Sequence, residues 1–309
     1  MSLNNETISK AINGVKDKAK KEIAKSKDAV VTAVDVNGDG QIDIEDIIVL
    51  GLRTPGIGIN RNQFIKKELE NKFSDKIVSE AILTTPFKAG ISIEDIDKIA
   101  DEVIKYERNC VSGISAALGM PGGAAMVATI PADIIQYYGY MLRAAQKLMY
   151  LYGFPEIDTT EEGQKFDSAT LNMLTICLGV MFGVAGANNA IKTVAKAFAC
   201  GVEKKLVNAA LTKGTIYPIV KKVAKWFGVK MTKEVFAGFF KKAIPIVGGI
   251  IGGGFTYISF GPCCEKLKKS LREAYQKDTN YADGEKEFEY VIEIDENDEQ
   301  FSRNLQSMY

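Results

Sequence analysis

Twelve consecutive residues carry the pattern most able to do chemistry. In Asp35-Val36-Asn37-Gly38-Asp39-Gly40-Gln41-Ile42-Asp43-Ile44-Glu45-Asp46, oxygen-bearing side chains stand at positions 1, 3, 5, 9 and 12. Gln41 at position 7 can offer its backbone carbonyl, and Gly40 at position 6 permits the sharp turn that wraps these oxygens around one point. Calcium takes about six to eight hard oxygens in a flexible cage. The expected ligands are therefore Asp35, Asn37, Asp39, Gln41, Asp43 and Asp46, with Ca2+ as the ion. Ile42 supplies the apolar residue that anchors such a loop to a core, and Ile47, Ile48, Leu50 and Leu52 predict a helix directly after it.

Over residues 30–54 the pattern resembles the EF-hand, more closely its dockerin-like variant, which also closes with aspartate at position 12. A shorter Asp46 implies weaker binding than a bidentate glutamate would give. The calcium either staples two helices or works as a switch, and the residues alone leave both open. Residues 84–95 echo the second half of the loop, but Pro86 and Lys88 replace two ligands. Ser92 followed by Asp95 also reads as a capping box that starts a helix.

Other chemistries are narrowed by what the chain lacks. It has no histidine, which removes the commonest general base near neutral pH and every Ser-His-Asp, Cys-His or HExxH arrangement. No GxxxxGK[ST] phosphate loop or paired-carboxylate pattern stands in for them, so no catalytic residue is expected and the chain does not read as an enzyme. Cys110, Cys177, Cys200, Cys263 and Cys264 show no CxxC spacing and read as reduced thiols, the Cys263–Cys264 pair as small apolar residues rather than a redox site. The N-terminus shows no apolar signal region, and Ser2 excludes N-myristoylation.

The surrounding elements read as helices. Ile8, Ile12, Val15, Ala19, Ile23 and Val30 recur at helical spacing across residues 6–33, among lysines that suit either an anionic membrane or plain solvent. Thr54-Pro55-Gly56-Ile57-Gly58 reads as a linker, followed by helices over Arg61–Phe73, Asp75–Leu83 and Ile93–Arg108. Three uncharged stretches follow, Asn109–Ala132, Ser168–Ile191 and Ala243–Cys264, of 22 to 24 residues each and rich in glycine. Each is long enough to span a bilayer, and small residues four apart permit close helix contact in a membrane or in a soluble core. Pro121, Pro131 and Pro245 interrupt the pattern, so buried hairpins in a compact body are expected.

Charge is uneven although lysine plus arginine equals aspartate plus glutamate at 39 each. From Lys192 to Lys242 twelve lysines face only Glu203 and Glu234. Within that span Lys221, Lys222, Lys225, Trp226, Phe227, Lys230 and Lys233 place a basic stripe beside aromatics. Anionic headgroups suit that pairing, at about 1 kcal/mol per lysine near the surface; a solvated helix face is the alternative. No nucleic-acid motif accompanies it. Residues 278–300 invert the sign, with ten acidic side chains and only Lys286 among the basic ones, and could mask the stripe.

Three local patterns together resemble the EcsC family of bacteria over residues 60–275: Gly122-Gly123 followed by Ile130-Pro131-Ala132-Asp133, the segment Ile134–Tyr152 continuing into Gly153-Phe154, and Ala243–Phe255 with its glycine run. The resemblance implies a helical, membrane-associated or membrane-adjacent protein linked to transport and secretion, and carries over no catalytic residue. Asp133 is expected to N-cap the helix Ile134–Tyr152. The chain is thus expected to be all-α: residues 1–55 a helix–calcium loop–helix module, 60–275 a compact helical bundle with glycine-rich apolar hairpins, and 276–309 an acidic tail. The expected function is calcium-binding association with an anionic membrane, cytoplasmic and peripheral or reversibly inserted, with self-association open. The alternative is a soluble adaptor or chaperone docking a membrane protein complex, with a structural calcium.

Overall fold

Side-chain caps set the starts of several helices. The computed structural model describes residues 35–36, 43–118, 126–160, 165–199, 201–230 and 253–276. Those residues form ten helices and no strand, an all-α fold. They are α1 (Ile44–Arg53), α2 (Arg61–Leu69), α3 (Asp75–Leu83), α4 (Ile93–Leu118), α5 (Met126–Leu151), α6 (Ser168–Phe182), α7 (Ala187–Ala199), α8 (Lys204–Thr212), α9 (Tyr217–Lys230) and α10 (Gly253–Gln276). Asn60 caps α2 by accepting from the Gln63 N–H at 2.9 Å, and Asp167 caps α6 through the Thr170 N–H at 3.1 Å. The Ser92–Asp95 pair starts α4 as its spacing predicts: the Asp95 N–H donates to Ser92 Oγ at 3.2 Å, and the hydroxyl donates to Asp95 Oδ2 at 2.7 Å.

Three long helices organise the bundle. α4 and α10 are antiparallel, pinned by Asp97–Arg272 and Asp101–Lys268 and, further along, by the Arg108 guanidinium 4.1 Å from the centre of the Tyr257 ring. α5 runs antiparallel to α4, with Tyr152 donating to Asp97 at 2.5 Å and, a few turns away, Arg143 and Lys147 reaching Glu107. Tyr137 meets Ser259 at 2.9 Å, so α5 and α10 are parallel. The bundle therefore has two ends. One, the Arg61 end, holds the N-terminus of α4, the C-termini of α5 and α10, and α2–α3. The other, the Ile114 end, holds the C-terminus of α4 and the N-termini of α5 and α10.

The 24-residue stretch Ser168–Ile191 is not one span. Gly183 takes φ +75° and its N–H bonds back to Val180, while the Val184 N–H bonds to Gly179 at 2.8 Å, a left-handed stop that ends α6. Gly186 at φ +92° completes the turn, and α7 folds back against α6. Gly179 serves another purpose: a Cβ there would come within 2.8 Å of Val223 on α9. The expected glycine spacing thus divides into a close approach and a helix stop, inside a helix that is almost wholly buried. None of the described helices is long and apolar enough to cross a membrane.

Three boundaries differ from expectation, the first being that of α2, which ends at Leu69 rather than Phe73. α4 continues past Arg108 to Leu118. α5 begins at Met126 and runs through Asp133, so that residue lies within the helix and does not N-cap it. Thr54–Gly58 is a turn between elements of one core: α1 contributes Ile44, Ile47 and Ile48 to the same buried cluster as α4–α6. Gly51 and Gly139 let α1 and α5 touch backbone to backbone, a Cβ on Gly51 falling 3.4 Å from the Gly139 Cα. Residues 6–33 and 276–309, apart from Gln276, lie outside the described residues as far as the amphipathic helix and acidic tail are concerned.

Candidate metal centre and basic face

Asp46 joins the loop to the fold. Asp43 is the N-cap of α1, its Oδ1 accepting from the N–H groups of Glu45 at 2.8 Å and Asp46 at 3.1 Å. Asp46, three residues on, returns the bond by accepting from the Asp43 N–H through Oδ2 at 2.9 Å. Its other oxygen reaches back ten residues to the Val36 N–H at 2.8 Å. One carboxylate, 1% exposed, therefore clasps the start of the twelve-residue loop to its end.

This arrangement fits a hard cation. An ionised carboxylate has about four acceptor sites, two on each oxygen. A buried carboxylate is favoured by a positive charge placed beside it. Asp35 stands next to the clasped Val36 and is half-buried. Among the described residues no three His, Cys, Asp or Glu side chains converge to hold an ion. Asp35, Asp43 and Asp46 thus need the oxygens of Asn37, Asp39 and Gln41, which lie outside the described residues.

The basic stripe divides between two faces of α9. Lys221, Lys222 and Lys225 are exposed, with the Lys221 ammonium 4.7 Å from the Tyr217 ring centre. Phe227 does not flank them. It is 1% exposed and packs its ring on Tyr138, Phe182 and Trp226, because Val220, Val223 and Phe227 share the inward face at helical spacing. Trp226 is half-buried against Phe182. Lys230 closes α9, and Lys233 lies outside the described residues.

Two buried charges escape the local sequence reading. Arg61, 6% exposed, donates to the carbonyls of Phe154, Ala81, Ile82 and Thr84, a cation seated at the C-terminus of α3. Burial lowers its pKa. Glu107 is fully buried, and its Oε1 accepts from Arg143 Nε at 3.0 Å and Lys147 Nζ at 2.5 Å. Among the described residues Glu107 Oε2 has no hydrogen-bond partner. A signal existed: Glu107 falls on the stripe of Ala100, Val103 and Val111, where the pattern calls for an apolar residue. On α10, Cys264 is buried and Cys263 half-buried; burial pushes the Cys263 thiol up to about 11 and raises Cys264 well above its ordinary value. Neither is primed to react. Cys200 lies outside the described residues.

Set against family models, curated proteins and solved structures, the chain matches none.

Proposed function

We propose that this chain is a calcium-binding helical protein that associates with anionic membranes. The observation that carries the reading is the Asp46 clasp, which holds the two ends of an oxygen-rich twelve-residue loop together on a helix rooted in the core. Calcium, when bound, would be held by Asp35, Asp39, Asp43 and Asp46, with Asn37 and the Gln41 carbonyl completing the donor set. Because α1 is packed on α5 through Gly51 and Gly139, the ion works as a staple: swinging α1 outward would open the core. The three exposed lysines of α9 support attraction to anionic headgroups. Insertion, where it follows adsorption, draws on residues 109–132 and 243–264, since residues 168–191 are committed to the core.

Liposome flotation tests the proposal. The full chain is expected to float with anionic vesicles in calcium, to lose most of that binding in chelator, and to ignore neutral vesicles. Absence of binding under every condition would leave a calcium-stapled adaptor that docks a protein.

A further inference from the structure

We infer that the lysine face of α8 and α9 is the docking surface for the acidic segment 278–300 of the same chain, which covers it in competition with anionic lipid. The inference rests on the membrane association proposed above and says how that association is held in check.

Helical register builds the face. α8 and α9 both pack inward on α6: the Leu211 carbonyl accepts from Asn172 Nδ2 at 3.0 Å, and the Val223 side chain meets Gly179. Val207, Ala210 and Leu211 on α8, and Val220, Val223 and Phe227 on α9, are buried by that packing. What remains outside is basic. Lys204, Lys205, Lys213, Lys221 and Lys222 are exposed. From Glu203 to Lys230 there are seven lysines, and Glu203 is the sole acidic residue. Among the described residues no carboxylate pairs with Lys205, Lys213, Lys221 or Lys222, whereas Lys192, Lys268 and Arg272 around α10 each have one.

The acidic segment departs from the end of the bundle where this face begins. α10 finishes at Gln276. Ser270 donates to Asn188 and Lys192 to Glu273, so α7 and α10 run parallel toward the Arg61 end. There Phe198, near the close of α7, meets Phe154 with ring centres 5.4 Å apart. The chain then turns at Gly201, φ +80°, into α8, whose Lys204 donates to the Glu156 carbonyl at 2.9 Å. Residues 278–300 lie outside the described residues; they carry ten acidic side chains and Lys286 alone among the basic ones. A segment of that length reaches about 75 Å when extended, and α8 and α9 laid end to end measure about 35 Å.

Charge opposition and tethering together single out this occupant. A tethered segment meets the face at an effective concentration on the order of millimolar, and a series of weak ion pairs holds where one alone does little. α2 and α3, at the same end, also expose Lys66, Lys67 and Lys76, but Glu68, Glu70, Asp75 and Glu80 stand among them. Their mixed field offers an acidic segment no comparable attraction.

Carbodiimide cross-linking of the full chain at low salt, followed by mass spectrometry, tests the docking, since it joins a carboxylate to an amine in contact with it. Cross-links are expected from the acidic residues of 278–300 to Lys205, Lys213, Lys221 and Lys222, and should fade at about 1 M salt, where charges are screened within about 3 Å. Cross-links mainly to Lys66, Lys67 and Lys76, or none, overturn the inference. A mixture of isotope-labelled and unlabelled chain that yields mixed pairs would assign the face to a second copy and likewise overturn it. Vesicle binding tests the competition. With the ten acidic residues changed to their amides, the full chain should bind anionic vesicles in calcium at least about tenfold more tightly. Lys205→Gln, Lys221→Gln and Lys222→Gln in that background should remove the gain. Equal binding with and without the acidic residues, cross-links being present, overturns the competition. Cross-links with no vesicle binding by either chain would overturn the membrane reading and leave the docked segment standing.

Discussion

At the Arg61 end a buried cation is surrounded by four carbonyl oxygens; midway toward the Ile114 end a buried anion meets two cations on one oxygen and, among the described residues, no hydrogen-bond donor on the other. The contrast extends beyond the two ions. Tyr152, Asp97 and Arg272 close the Arg61 end, and Tyr150 both donates to the Ile59 carbonyl and accepts from the Ile157 N–H. From Glu107 onward along α4, and on the facing start of α5, buried polar atoms with no hydrogen-bond partner among the described residues collect at Glu107 Oε2, Arg108 Nε, Ser112 Oγ and Gln136 Nε2. Exposed Ile114, Tyr257 and Ile258 lie further out. One end is built for stability. The other carries the unsatisfied polar groups, while exposed apolar side chains occur at both ends, Leu83 at the first and Ile258 at the second.

Removing the anion should have the largest effect. Glu107→Gln leaves Arg143 and Lys147 facing one another without a counter-charge, and is expected to cost about 3–5 kcal/mol in urea unfolding. A loss under about 1 kcal/mol would mean that both cations turn to solvent, and that α4 and α5 are held by apolar packing alone.

Arg61→Ala should come next, at about 3 kcal/mol, since several buried carbonyls lose their donor at once. Arg61→Lys should restore less than half, because one ammonium cannot reproduce a planar fork that reaches four acceptors. Full rescue by lysine would show that charge at the end of α3, rather than the carbonyl bonds, closes this end.

What could be read from the sequence follows the distance over which each decision is made. The bounds of α3 and the start of α4 depend on neighbours within a turn, and Ser92 with Asp95 announces the latter. The Asp43–Asp46 box and the clasp on Val36 are spaced within one loop, so the candidate metal site was legible as a pattern. Glu107 depends on partners 36 and 40 residues away, and Arg61 on carbonyls 20 to 93 residues away. No local window contains them. Phe227 was assigned outward because lysines precede it, although its spacing from Val220 and Val223 places it in the core. The break at Gly183 was hidden inside an uncharged run: only the positive φ required there separates a helix stop from one more small residue.

Calcium should act at intermediate strength. At a free concentration a hundredfold above its Kd, the ion is expected to stabilise the chain by about 2.7 kcal/mol in calorimetry. Asp46→Ala should abolish that gain and, in chelator, cost about 1 kcal/mol through loss of the cap. A chain whose melting is unchanged by calcium, while Asp46→Ala still destabilises it, would reduce the clasp to a capping box that holds no ion.

The smallest effects come from two helical glycines, and they differ in sign. Gly179 lies where α6 meets α9; a methyl there would stand 2.8 Å and 2.9 Å from the Val223 methyls and 3.0 Å from Ala187. Gly179→Ala should therefore lose about 2 kcal/mol, since Val223 is fully buried and has little room to move. Gly113 lies in α4 just before Ile114, and a Cβ there meets nothing within 4 Å. Gly113→Ala should stabilise the chain by about 0.5–1 kcal/mol through helix propensity alone. Both values come from urea midpoints measured side by side. Should Gly113→Ala instead destabilise, α4 must bend or pack at that point in the folded chain, and the Ile114 end would be as closely built as the Arg61 end.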